Sequence, residues 1–395
     1  MLIFVSDLHL RPGAVSHLPK HEQFARFWER IARSPHEGPA RLAFVGDLFD
    51  LVRSPLWLVG DLRPYHEPSP ELAAEIESQV LATIEAERPF FDAIRTKVEA
   101  GELEVHFAVG NHDRLLHCAP AARAAVRAAM GMPGDRDPFP EELCFPEHRV
   151  LAYHGHTVDD LCHDRDGAAP LSDLLASELI VRFPSTIRDE VGIDDVRLDD
   201  IDDVRPIFAV PSWVCSLTDR QQRGVGREVA KSWQGLVEEF LDNAVVAQWF
   251  KDHHRAFSWD LAGKMKALLA LSAKGLRLQD ARFAEAYKVL FGLFDTKFAE
   301  QAYAELARRD GLQFVVNGHT HFAGMRPLGL VDGRPSCYFN TGTWRTVHQM
   351  GRVAGAEEAF LAYDAMSYLV FFDAADPLGR TFEWWQGVAA TGDAC

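Results

Sequence analysis

Cysteine is scarce in this chain. Six occur in 395 residues (Cys118, Cys144, Cys162, Cys215, Cys337 and Cys395), and none forms a C-x-x-C pair. Such scattered spacing in a long chain excludes a disulfide framework and reads as reduced thiols in a cytoplasmic protein. Long apolar runs are missing too, so no stretch reaches membrane-spanning length. No leader is expected, because Met1–Val5 reads as a strand running straight into Ser6-Asp7 without a basic n-region. Positive charge is in deficit: 41 Lys and Arg against 58 Asp and Glu leave a net charge of −17. That balance repels nucleic acid and anionic lipid at long range, so a polyanionic partner would need a local basic patch. Low-complexity tracts and internal repeats are absent, apart from an acidic run of eight carboxylates between Asp189 and Asp203.

What is present suits a large buried core. Apolar residues make up 47% of the chain, and its length fits an α/β domain carrying an insertion. Apolar runs at 1–6, 41–45, 103–109 and 149–153 read as strands. Between them lie helical patterns, with Phe24, Phe27 and Ile31 on one face of 20–33. Ser69-Pro70-Glu71 gives an N-cap and first-turn proline to a long helix that Pro89 breaks or kinks. Strands separated by helical crossovers imply a mainly parallel, buried sheet. From about 157 to 310 helical periodicity takes over, at 171–182, 225–250, 259–273 and 281–308, with no clear strand. A strand returns at 312–317, followed by expected hairpins turning at Asp332-Gly333 and at Asp364-Ala365.

Five short motifs each close an apolar run: Asp7-Leu8-His9, Gly46-Asp47-Leu48-Phe49-Asp50, Gly110-Asn111-His112-Asp113, His154-Gly155-His156 and Gly318-His319-Thr320-His321. In a mostly parallel sheet such ends share one edge, where active sites of open α/β sheets form. Imidazole and carboxylate without thiolate suit Mn²⁺, Fe or Zn²⁺. An extended Asp-x-His sends two alternate side chains to one side, and Asp47 can bridge two ions because a carboxylate has two oxygens. Gly46, Gly110 and Gly318 let the backbone turn sharply beside them. Two ions about 3.5–4 Å apart can clamp a phosphate and make a hydroxide nucleophile at neutral pH. Singly each motif is common by chance; five in order at strand ends are not.

This set resembles the calcineurin-like metallophosphoesterases over residues 1–156 and about 311–373. The resemblance implies a four-layer α/β/β/α sandwich, with core 1–156 and 311–395 and a helical insertion 157–310 placed to act as a cap. It also implies the ligands. Asp7, His9, Asp47 and His321 would hold one metal, and Asp47, Asn111, His154 and His319 the other. The family pattern selects His154 over His156. His112 would reach the phosphoryl oxygens or the leaving group, oriented by Asp113, and would stabilise charge or donate a proton. Ser6-Asp7-Leu8-His9-Leu10 and Gly46-Asp47-Leu48-Phe49-Asp50 further resemble bacterial enzymes that cleave UDP-2,3-diacylglucosamine. Those usually carry Arg at the position of His112 and Asp at that of His156, and have a shorter segment before Gly318.

The expected activity is hydrolysis of a small phosphorylated substrate (monoester, diester or pyrophosphate) with two divalent transition-metal ions, Mn²⁺ first and Fe or Zn²⁺ as alternatives. A nuclease is the alternative enzyme, disfavoured by the acidic charge and the lack of a Lys/Arg cluster. An inactive scaffold would have lost ligands, and here every position is filled. Arg53, Arg114 and Arg345 follow the motif loops and are candidates for phosphate contact, or ordinary surface charges. The aromatic pieces Phe208–Trp213, Trp249–Phe257 and Phe283–Phe298 are read mainly as the insertion's own core, with a pocket role or dimerisation left open. His163, His253-His254 and His348 are read as structural, and the acidic run as a solvated face.

Overall fold

The first five residues divide between two cores. Met1, Ile3 and Val5 pack toward helices, while Leu2 and Phe4 pack with side chains of a second sheet. Alternate strand residues point to opposite faces, so strand β1 (Leu2–Val5) is apolar throughout because both of its faces are covered. A computed structural model describes residues 1–12, 19–34, 36–163, 169–193, 196–205, 207–220, 223–253, 261–273, 296–351 and 359–389.

The protein is mixed α/β with two mixed sheets. Strands β2 (Ala40–Val45) and β3 (Leu103–Ala108) extend β1 in parallel. Helices α1 (Lys20–Ala32), α2 (Pro70–Ala86), α3 (Arg88–Glu99) and α4 (Pro120–Met130) cover the outer face through Phe24, Phe27, Ile76, Phe90 and Val126. The Ser69 hydroxyl accepts from Leu72 N at 3.1 Å, and the helix stops before Pro89, as the sequence leads one to expect. The second sheet contains β4 (Glu142–Phe145) and β5 (Val150–Tyr153). Between the two sheets lie Phe4, Val45, Ala152, Val316 and Phe339, each burial worth about 1.5–3 kcal/mol for a large side chain.

The insertion follows β5. It comprises α5 (Leu171–Leu175), a π-helical turn at Ala176–Ile180, α6 (Arg182–Val191), the two-residue strand β6 (Val204–Arg205), α7 (Val210–Arg220), α8 (Arg223–Asp242), α9 (Ala244–His253), α10 (Leu261–Ala273) and α11 (296–308). The helix expected over 225–250 is two helices, because the Asn243 side chain caps a new start, accepting from Val245 N at 2.9 Å. Of the helix expected over 281–308, residues 281–295 lie outside the described residues, as do His254, Phe257 and most of Phe283–Phe298. Helices α5–α10 share a core around Phe183, Trp213, Trp233 and Phe240 that also takes in Met350 and Phe360. No helix among the described residues is long and apolar enough to cross a membrane.

The chain then forms β7 (Phe314–Asn317), β8 (Gly324–Val331), β9 (Arg334–Asn340), β10 (Thr346–Gly351), β11 (Ala359–Phe371) and β12 (Phe382–Ala389). β7 lies parallel between β5 and β9, and β6 adds in parallel to β10 at the far edge of the first sheet. The β8–β9 hairpin turns at Asp332 and Gly333, both at positive φ (50° and 74°), as expected of Asp-Gly. The second expected hairpin does not form. Residues 359–371 are one strand: Asp364 pairs with Thr346, whose hydroxyl donates to its carboxylate at 2.7 Å. Asp-Ala offers no residue that favours the two positive φ values such a tight turn needs, so the strand runs through.

Candidate dinuclear metal centre

The loops after β1 and β2 run side by side. Asp7 N donates to Gly46 O (3.2 Å), His9 N to Asp47 O (2.9 Å) and Leu10 N to Leu48 O (2.8 Å). The Asp-x-His segment is not extended, contrary to the sequence reading. Asp7 and His9 have φ of 55° and 49°, and Asp47, His319 and His321 are also at positive φ, between 52° and 74°. The left-handed region costs a non-glycine residue about 1–2 kcal/mol. Five such residues gathered around one point concentrate backbone strain there.

Two nests of donor atoms result. In the first, His321 Nε2 lies 3.3 Å from Asp7 Oδ1 and 3.0 Å from His9 Nε2. In the second, His154 Nε2 is 3.1 Å from both Asn111 Oδ1 and Asp47 Oδ2. The same Asp47 oxygen is 3.6 Å from His9 Nε2, so a single oxygen faces both nests. Asp47 Oδ1 is occupied, accepting from His112 N at 2.9 Å. His154 Nδ1 donates to Val45 O at 2.8 Å, so Nε2 is the nitrogen turned toward Asn111 Oδ1 and Asp47 Oδ2. Asp7 Oδ1 is buried without a hydrogen-bond partner. A buried carboxylate oxygen without a donor is satisfied by a cation. These buried Asp and His groups can therefore hold metal ions.

Glycine makes the room. A Cβ on Gly110 would strike the Asp47 carboxylate, and one on Gly318 would strike Asp7 and Ser6. Neither has a positive φ, so their role is space and not the sharp turn inferred from sequence. The Asn340–Trp344 segment clamps the loops from behind: Thr343 Oγ1 donates to Asp7 O at 2.6 Å and Asn340 Nδ2 to Gly318 O at 2.5 Å.

Of the seven ligands expected, Asp7, His9, Asp47, Asn111, His154 and His321 converge on these nests. His319 stands beside them, its ring centroid 5.2 Å from that of His154. Its Nε2 is 3.0 Å from Asp159 Oδ2, so Nδ1 is the nitrogen left to face an ion. Asp159 and Cys162 form a further donor group with His319, which the sequence reading missed. The one signal was an Asp five residues beyond His154. His156 packs 5.6 Å from His154 ring to ring, the near neighbour expected.

Asp113 does not orient His112. Its carboxylate accepts from the backbone of Phe49 (2.8 Å), Gly110 (3.1 Å) and Leu48 (3.3 Å), tying the second and third loops together. The acid on the His112 ring is Asp50, with Oδ1 2.7 Å from Nδ1. The reason is reach: Asp113 turns back under the loop, whereas Asp50, three residues past Asp47, faces the ring.

Burial raises the Asp47 pKa, but the His154, His112 and His9 charges outweigh it and hold the carboxylate well below its usual range. Burial likewise acts on Asp50 and is overcome by Arg53 and His112. Burial lowers the His154 pKa, yet Asp47 and Asp7 raise it to about 9. Asp113 is pushed up to about 8 by burial and then by the Asp47 charge. Burial, with Arg205 and His9 adding to it, holds His321 well below its ordinary value, favouring the neutral ring a ligand needs.

The acidic run is not simply a solvated face. Asp202 and Asp203 are buried and serve as counter-charges, Asp202 to Arg11 and Asp203 to Arg345 at 2.6 Å. Arg114 is paired with Asp173 of the insertion. Arg53 holds Asp50 at 2.9 Å and lies 3.0 Å from His9 Nδ1. His253 stacks on Trp249 at 4.0 Å, and His348 Nε2 is 3.6 Å from Asp200, both structural as expected. His163 packs near His156, 6.2 Å ring to ring. The described cysteines form no disulfide; Cys395 is outside the described residues.

No protein-family model and no curated protein matches this chain. The reading of the site therefore rests on its geometry and on the motif order.

Proposed function

We propose that this protein is a dinuclear metal-dependent phosphoesterase of calcineurin-like type, built as a four-layer α/β/β/α sandwich with its insertion 157–310 as a cap. Three cores support the layering. One joins α1–α4 to the first sheet, one lies between the sheets, and one joins the second sheet to α11 through Leu151, Val315, Phe298 and Leu306.

The observation that carries the reading is Asp47 Oδ2, shared between His9 and His154 at the meeting point of two nests. Asp7, His9, Asp47 and His321 would hold one ion, and Asp47, Asn111, His154 and His319 the other; imidazole and carboxylate favour Mn²⁺, with Fe or Zn²⁺ as alternatives. Bound there, two such ions supply Lewis acidity toward a phosphoryl oxygen and a nucleophile from water at neutral pH. The chain does the rest. His112 lines the cavity with Nδ1 held by Asp50, which leaves Nε2 for the leaving-group oxygen. Asp50 is the positioning residue for His112, and its second oxygen lies 3.5 Å from His9 Nδ1. Asp113 keeps the Asp47 and Asn111 loops in register. The acidic surface argues for a small phosphorylated substrate and against nucleic acid.

The test is a panel of phosphate mono- and diesters assayed with added Mn²⁺ and with chelator. Turnover that depends on Mn²⁺ and disappears in Asp47→Ala supports the reading. Stable, metal-loaded protein inert toward every ester, nitrophenyl phosphates included, would sink it.

A further inference from the structure

A cavity of about 670 Å³ opens from the metal cluster and is lined by both the core and the insertion. Its wall is mixed in chemistry. Asp47, His112, His321, Arg53 and Arg205 line it. Asp159, Ser172, Asp202, Thr320, Arg326 and Asn340 add further polar groups. Its apolar part comes largely from 157–310: Leu175, Ile180, Ile201, Val204, Val210 and Phe298.

Arg205 differs from the arginines around it. Arg11, Arg53 and Arg345 each hold a carboxylate. Arg205 donates from Nη1 only to the carbonyls of Asp202 (2.8 Å) and Val204 (2.9 Å), and has no carboxylate partner among the described residues. Its Nη2 is 3.5 Å from His321 Nε2, at the edge of the first nest. Pairing of β6 with β10, Arg205 opposite Gln349, holds it there. The like charges of Arg53 and Arg345 act on it against those of Asp203 and Asp202, neither of which contacts it through its carboxylate, so an arriving anion would give the guanidinium its direct counter-charge.

We infer that the site takes a phosphate ester of a single compact, apolar alcohol, with Arg205 binding a phosphoryl oxygen and the apolar wall enclosing the alcohol. This rests on the phosphoesterase reading and adds its substrate class. The volume lies within the range of small-molecule pockets, roughly 300–1,000 Å³. A sugar or base set against the apolar residues Leu175, Ile180, Ile201, Val204 and Val210 would leave its polar groups poorly paired there, which favours an apolar alcohol at that part of the wall. The insertion thus supplies both the grip on the phosphate and the selectivity for the alcohol.

The experiment is calorimetric titration of the Mn²⁺-loaded protein with n-alkylphosphonates of one to eight carbons, beside a nitrophenyl phosphate assay. Affinity should rise about fourfold per methylene, equivalent to ~0.8 kcal/mol for each buried CH₂, until the cavity fills. Arg205→Gln should weaken every member by a similar factor, roughly tenfold or more, without changing that slope. Arg205→Lys should recover part of the loss, which separates charge from folding. Affinity independent of chain length, or unchanged in Arg205→Gln, overturns this inference while leaving the phosphoesterase reading standing. Should the loaded protein neither bind methylphosphonate nor cleave any ester, the phosphoesterase reading itself fails.

Discussion

His154 Nε2 lies 3.1 Å from Asp47 Oδ2, while Nδ1 of the same ring is committed to Val45 O at 2.8 Å. A strand carbonyl thus orients the ring, and Nε2 is aimed at the one carboxylate oxygen that also faces His9. In the motif reading Asp47 bridges through two oxygens. Here one oxygen serves both nests and the other is spent on His112 N.

Asp47→Ala should therefore be more damaging than Asp7→Ala or His321→Ala, each of which serves one nest. Steady-state hydrolysis with saturating Mn²⁺ checks this; an Asp47→Ala protein as active as wild type would refute the shared bridge.

Gly110→Ala adds one methyl against the Asp47 carboxylate. Metal affinity should fall at least tenfold while far-ultraviolet circular dichroism stays native. The methyl also meets the Asp47 backbone nitrogen, so unchanged affinity would mean that the whole loop carrying Asp47 has another position open to it.

His112→Asn should leave metal content near wild type and lower turnover by roughly two to four orders of magnitude. The loss should be greater for alkyl than for nitrophenyl leaving groups, which need no proton. Asp50→Asn should show the same leaving-group bias in weaker form, whereas Asp113→Asn should act mainly on stability. A uniform loss across leaving groups would assign His112 to phosphoryl binding.

The metal-free protein should lose stability as pH rises from 6.5 to 9. His154, raised to about 9 from an ordinary 6.5, keeps in the folded state a proton that the unfolded chain releases across that window. Asp113, raised to about 8, acts with the same sign up to that pH. Mn²⁺ requires the neutral ring, so its added stabilisation should grow over the same range. Thermal unfolding with chelator and with Mn²⁺ at several pH values measures both slopes. Equal slopes would remove His154 from the metal site.

The motif loops were legible because each closes an apolar strand, and strand ends in a sheet have a fixed edge. Their backbone was not: nothing in Asp-x-His announces left-handed residues at Asp7 and His9. Nor did it show that Asp50, and not Asp113, meets the His112 ring, since both lie within a loop's reach and only side-chain direction separates them. β6 escaped because two residues carry no period, and Arg205 escaped with it. The false hairpin at Asp364 arose from reading a polar residue as a turn where it pairs with Thr346 inside a long strand.

Those missed residues alter what deletion of the insertion should do. None of 165–305 supplies an expected ligand, yet Asp202 and Asp203 neutralise Arg11 and Arg345 beside the site. Replacing 165–305 by a Gly/Ser linker should destabilise the core. Retaining 196–210 and α11 (296–308), joined by linkers, should restore metal binding but not selectivity for larger esters, because α11 covers the second sheet through Phe298 and Ala302. Metal titration of the two forms, with rates for a small and a large ester, decides it; equal selectivity with and without the helices would assign them to assembly or stability.

The most direct test is the manganese stoichiometry of the purified full-length chain, measured by calorimetric titration after chelation. Two ions per chain are predicted, binding at adjacent, interacting sites, with both lost or severely weakened in Asp47→Ala. A single ion in wild type, or two bound as tightly in Asp47→Ala as in wild type, would contradict a dinuclear centre built on that shared oxygen.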